Sequence, residues 1–147
     1  IQGIIDIAKE MKQAPVSLLE HVAEVIQLLS SSYRLMLITK GDLHHQLVKV
    51  AGSGLADRFS RVEVVAEKDT ATYAAVLARH GIAVHDFVMV GNSLSSDVLP
   101  VIELGARAVH VPYHVTWAHE ARHDDGGHAV PTLGRLGDLP DLLETWQ

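Results

Sequence analysis

Phe87-Val88-Met89-Val90-Gly91-Asn92-Ser93-Leu94-Ser95-Ser96-Asp97 is the stretch that decides how this chain is read. Residues 87–90 are apolar and make a short buried strand, which Gly91 ends. Small polar groups follow, and a carboxylate stands five positions beyond Asn92. A strand stopping at Gly91 presents these groups at the carboxyl edge of a parallel sheet, where open α/β folds bind ligands. Asp97, at the start of the next helix, is placed to hold a hard cation through oxygen. A plain strand-to-helix turn accounts for the same residues, with Ser95 or Ser96 as the cap and Asp97 at the positive helix end. The residues on either side weigh for the ligand-binding reading.

Upstream, 34–38 reads as a buried strand stopping at Thr39-Lys40-Gly41-Asp42, and 62–65 as a second, followed by Glu67-Lys68-Asp69. Downstream, 108–111 reads as a fourth strand. Helical periodicity fills the gaps. Asp42 caps a helix carrying Leu43, Leu47, Val48 and Ala51. Tyr73, Val76 and Leu77 mark another over 71–79, and 97–104 a third that stops at Gly105. Before them, Ile4, Ile5, Ala8 and Met11 mark a helix over 1–13, which Pro15 separates from one capped by Ser17 and running to Leu29. The tail holds a loop at 124–127 and a short helix over 139–146. Strands alternating with amphipathic helices imply right-handed βαβ units, and so a doubly wound, Rossmann-like α/β fold with a parallel sheet.

Composition narrows the function classes. The chain has 147 residues, 48% hydrophobic and 20% charged, an ordinary globular balance. Twelve basic and eighteen acidic side chains give a net charge of −6, which argues against nucleic acid or an anionic membrane as partner. Cysteine is absent, which removes disulfides, thiol nucleophiles and cysteine zinc sites. Charged residues or histidine interrupt every apolar run, and no export signal is visible, so a cytoplasmic location is expected.

Three strand ends carry distinctive polar sets: Thr39-Lys40-Gly41, Lys68, and Asn92 through Asp97. Parallel strands put such groups on one edge although they are far apart in sequence. A hydroxyl, an ammonium and a carboxylate are tools for holding a phosphoryl group and a magnesium ion. Singly, each residue is explained as a turn residue, a solvated charge or a cap. Their occurrence in this order at successive strand ends is not. The ordered set resembles the haloacid dehalogenase superfamily of hydrolases. Thr39 matches the family's second motif, an apolar strand ending in Thr or Ser. Lys68 matches the third, a lysine ahead of a helix. Gly91 and Asp97 match the fourth, with Asn92 where an acid is common. The likeness runs from Pro15 to about Val111.

The resemblance implies a magnesium-dependent phosphatase acting on a small phosphorylated substrate through an aspartyl-phosphate that water cleaves. Thr39 and Lys68 are the implied catalytic residues. Thr39, Lys40, Gly41 and Asn92 would bind substrate, and Asp97 with Asn92 would hold Mg2+. A 2-haloacid dehalogenase and a non-catalytic, receiver-like binding module are the alternatives. Asn92 weakens the metal assignment, because an amide is a poorer ligand for a hard dication than a carboxylate, and the resemblance includes dehalogenases that carry Asn here and need no metal.

The family nucleophile is the first acid of an Asp-x-Asp motif, and no two aspartates in this chain have that spacing. Asp6 is the one N-terminal candidate, and Ala8 stands where the general acid would be. The first strand and most of a helical cap are therefore expected upstream, with residues 1–14 the end of the cap and 15–147 an incomplete core. Such a core is expected to lack turnover alone. Its exposed sheet edges would leave it unstable, dimeric through those edges, or dependent on an N-terminal piece. His110, His114, His119, His123 and His128 cluster in sequence without a metalloprotease pattern and are read as surface or adventitious metal binders.

Overall fold

The computed structural model describes residues 1–4, 16–113 and 129–147. The expectations for Asp6, His114, His119, His123, His128 and the 124–127 loop lie outside them. The elements run α1 (Val22–Ser30), β1 (Met36–Lys40), α2 (Leu43–Gly52), β2 (Arg61–Val65), α3 (Thr70–Arg79), β3 (Val88–Gly91), α4 (Leu99–Leu104), β4 (Arg107–His110) and α5 (Leu139–Glu144). The architecture is α/β with parallel strands, as the alternation of patterns predicts, and its sheets are small.

Two units divide the chain, one comprising Ile1–Glu67 with Leu139–Gln147 and the other Lys68–Asp138. In the first, β1 and β2 form a parallel pair with α2 as crossover, in register from Met36 opposite Arg61 to Lys40 opposite Val65. The strand begins two residues later than the expected start at 34. Ahead of it, the Leu35 carbonyl accepts from both the Ser60 amide and the Ser60 hydroxyl. At its other end, pairing continues through the polar Thr39 and Lys40, and the Gly41 amide donates to the Val65 carbonyl at 3.2 Å. Ile4, Val50 and Ala56 are buried together, with Leu37, Leu47, Ala51 and Val62 packed on them.

Helix α1 starts later than Ser17 predicts. His21 takes a left-handed backbone at φ 67°, which a helix does not pass through, and Leu18 and Leu19 stay exposed. Val25 and Leu29 form its buried stripe, and α1 packs on α5.

In the second unit, β3 and β4 form another parallel pair, from Val88 opposite Arg107 to Gly91 opposite His110. Its core holds Tyr73, Val76 and Leu77 from α3 with Val98, Val101 and Val109. Asp69 caps α3 by accepting the Thr72 amide at 2.8 Å. Gly105 ends α4 at φ +93°, the left-handed helix stop that glycine supplies without strain. Among the described residues, no helix is long and apolar enough to cross a membrane.

Candidate active site

The helix expected from Asp97 onward begins differently. Between β3 and α4 lies a π-helical turn, Leu94–Val98. The Ser93 carbonyl accepts from Asp97 N at 2.8 Å and also from Val98 N at 3.2 Å, the second bond being the i→i+5 link of a π turn. Ser93, rather than Ser95 or Ser96, is the cap, its hydroxyl accepting from Ser96 N at 3.3 Å. Pro100 near the start of α4 needs no amide partner there.

This wide turn brings the Asp97 side chain back to the end of β3, where it is buried at 4% exposure. Asp97 Oδ2 accepts the Ser93 amide at 3.1 Å. A Cβ added to Gly91 would fall on the Asp97 carboxylate. Glycine is thus required at 91 for close approach, with no unusual dihedral involved. The Lys68 Nζ, just ahead of α3, donates to Asp97 Oδ1 at 2.6 Å, and the two side chains are 14% and 5% exposed. Lys68 and Asp97, paired in the sequence reading only by motif order, form a buried, charge-assisted contact.

Two residues around this pair were not singled out as site residues from sequence. Tyr73, buried on α3, donates its hydroxyl to the Ser96 carbonyl at 2.8 Å. Burial first, and the Asp97 charge second, push its phenol well above the ordinary value of 10.0, so it remains a neutral donor. His110 sits at the end of β4 with Nε2 3.1 Å from the Asn92 carbonyl. Periodicity places Tyr73 on a core face and proximity in sequence groups His110 with the other histidines. Neither signal points to this loop. The Asn92 side chain itself is exposed.

Thr39, Lys40 and Gly41 lie in the first unit. The Thr39 hydroxyl donates to Gln46 Oε1 at 3.0 Å, and a Cβ on Gly41 would meet Gln46 Nε2 at 2.8 Å. Gly41 also has φ +142°, a backbone that favours glycine. Lys40 pairs with Glu67 at 2.7 Å, both largely exposed. Asp42 caps α2 by accepting His45 N at 3.0 Å, as the sequence predicts, which holds its carboxyl below the usual range.

The residues can be tested against a magnesium ion. A carboxylate offers about four lone-pair positions, and Lys68 and Ser93 occupy two of those on Asp97. Asn92, five positions before Asp97, offers one neutral oxygen. Among the described residues, no three His, Asp or Glu side chains gather into a metal cage. Magnesium commonly keeps several waters and takes one or two carboxylates plus phosphate oxygens. The donor set fits an ion held that way, with Asp97 as its protein carboxylate.

No protein-family model and no curated protein matches the chain. Solved structures do. A haloacid dehalogenase-like family hydrolase from Xanthomonas campestris is 38% identical, with a TM-score of 0.79, over 99% of this chain and 61% of that one. A 2-haloacid dehalogenase from Pseudomonas syringae is 24% identical, with a TM-score of 0.71, over 90% and 55% respectively. A phosphatase of the same superfamily from Thermococcus onnurineus is 22% identical, with a TM-score of 0.70, over 86% and 58%. This chain thus spans 55–61% of the length of these three proteins. By fold, by identity over nearly its whole length and by its ordered strand-end residues, the chain belongs to the haloacid dehalogenase-like hydrolases.

Proposed function

We propose that the full-length protein is a phosphatase acting on a small phosphorylated substrate, with Mg2+ held at Asp97 and Asn92. The observation that carries this reading is the buried Lys68–Asp97 pair at the Gly91 strand end. Lys68 keeps two ammonium protons beyond the one given to Asp97 and can donate them to phosphate oxygens. Thr39, with Lys40 and Gly41, would bind the phosphoryl group, the Thr39 hydrogen turning from Gln46 to a phosphate oxygen. The Gly41 amide is already given to Val65, so this residue contributes close approach instead of a hydrogen bond. Magnesium, when bound, neutralises charge on the phosphoryl group. Residues 1–14 are assigned to a cap and 15–147 to the core. Turnover belongs to the full-length protein, because this chain carries no Asp-x-Asp pair. The chain alone would then be inactive and prone to pair through its sheet edges.

A 2-haloacid dehalogenase is the second reading. It is favoured by the neutral Asn92 and by an Asp97 whose two oxygens both already have donors. The full-length protein should be assayed with p-nitrophenyl phosphate and with 2-chloropropionate, each with Mg2+ and with EDTA. Phosphate release that EDTA abolishes supports the phosphatase. Chloride release that survives EDTA replaces it with the dehalogenase, and silence in both refutes each.

A further inference from the structure

Two buried polar side chains reach the loop that carries Asp97 from different elements. Tyr73, from α3, is 1% exposed, and its hydroxyl holds the Ser96 carbonyl. His110, from β4, is 5% exposed and meets the Asn92 carbonyl. A carbonyl only accepts, so that contact requires the histidine proton on Nε2. One of these carbonyls, Asn92, precedes the π turn and the other, Ser96, lies within it, and the Ser93 amide donates to Asp97 Oδ2. His110 is itself fixed. Its amide donates to the Pro131 carbonyl at 2.9 Å, and its carbonyl accepts from Leu133 N at 2.8 Å.

Apolar side chains of similar shape would fill the same space at lower desolvation cost. Placing a hydroxyl and an imidazole there commits two buried donors to two backbone acceptors of one short loop. The π turn departs from regular α-helical geometry, with both the Asp97 and the Val98 amides donating to the Ser93 carbonyl.

We propose that Tyr73 and His110 are positioning residues. They hold the 92–97 loop at two of its carbonyls, Asn92 and Ser96, so that Asp97 stands preformed against Lys68 before any substrate or metal arrives. The kinetic consequence rests on the hydrolase reading above, whereas the conformational consequence does not.

The test uses the full-length protein with Tyr73→Phe, which removes only the hydroxyl, and with His110→Leu and His110→Gln. Amide hydrogen exchange at Ser93 and Asp97 is the first readout. Tyr73→Phe and His110→Leu should each speed it roughly five- to tenfold, the effect of one lost hydrogen bond, with amides of α3 and β4 unchanged. His110→Gln, whose amide nitrogen can replace Nε2, should restore slow exchange. The hydrolase kcat should fall by a similar factor in the first two variants, with KM within about twofold. Unchanged exchange at Ser93 and Asp97 overturns the proposal, as does uniform acceleration across the whole unit, which marks packing residues. Absence of turnover in the wild-type protein overturns the proposed function, and the exchange result then decides this inference alone.

Discussion

Removing the ammonium of Lys68 should destabilise the fold far more than removing a surface charge. At 2.6 Å, and with an effective dielectric constant of about 20, the gross attraction between Lys68 and Asp97 is about 6 kcal/mol. Much of it is offset by the loss of hydration when two groups 14% and 5% exposed are buried. Deleting one partner keeps the desolvation of the other and loses the attraction. Lys68→Met leaves Asp97 with the single Ser93 amide. The expected loss is about 3 kcal/mol, the low end for a broken buried pair, because Lys68 retains some contact with water. With a urea slope of about 1.5 kcal/mol/M, the unfolding midpoint of the full-length protein falls by about 2 M. In the double variant Lys68→Met/Asp97→Asn no charge is stranded, and the oxygen of the new side-chain amide still accepts from Ser93 N. That variant should therefore recover about 2 kcal/mol relative to the sum of the singles. Urea melts of the four proteins measure this directly. A loss below about 1 kcal/mol in Lys68→Met, the range of solvated pairs, would refute the reasoning, and so would strict additivity.

Three further outcomes follow from the geometry. Gly91→Ala sets a methyl on the Asp97 carboxylate and should cost about 2–3 kcal/mol in a urea melt, with loss of the Ser93 amide's slow exchange. Lys40→Ala, which breaks an exposed pair, should cost less than about 1 kcal/mol and nothing measurable in 1 M salt, read by the same melts at two ionic strengths. Asp69→Ala bears on pH: hydrogen bonds from the Thr72 side chain and backbone hold the Asp69 carboxyl below its ordinary 3.8. A carboxyl depressed by folding adds stability above its unfolded value and loses it as pH falls through the folded one. The charge-dependent part of the advantage of wild type over Asp69→Ala should therefore be constant at neutral pH, shrink as pH falls past 3.8 and be lost only below the depressed folded value, seen in thermal melts across that range.

The α/β class and the four strands were legible because each strand is a short apolar run closed by turn residues, and these runs alternate with helical periodicity. Strand ends were less so. β1 runs on through Thr39 and Lys40 because a neighbouring strand supplies partners, and pairing across 25 residues is invisible to local pattern. Ser17 looked like a cap, yet the backbone of His21 postpones α1. In the site, Lys68 and Asp97 were found by motif order, but their direct contact depends on the π turn. No residue type encodes that turn, since it differs from an α-helical start by one extra hydrogen bond to Ser93. Tyr73 and His110 were unreadable as loop anchors for a related reason. A buried phenol and a buried imidazole look like core until their polar atoms have partners, and those partners are backbone carbonyls, which every sequence has.

The fit between Gly91 and Asp97 also constrains how this protein can change by descent. A lineage cannot acquire a side chain at 91 while the acid remains, because the two would share one volume. Nor can it discard the acid first without stranding the ammonium of Lys68. Every one-step route away from the trio passes through a weakened intermediate, so the three positions should drift together or stay locked. A mutational library that varies them singly would record a loss at each, and one that varies them in combination would reveal whatever alternatives the fold tolerates.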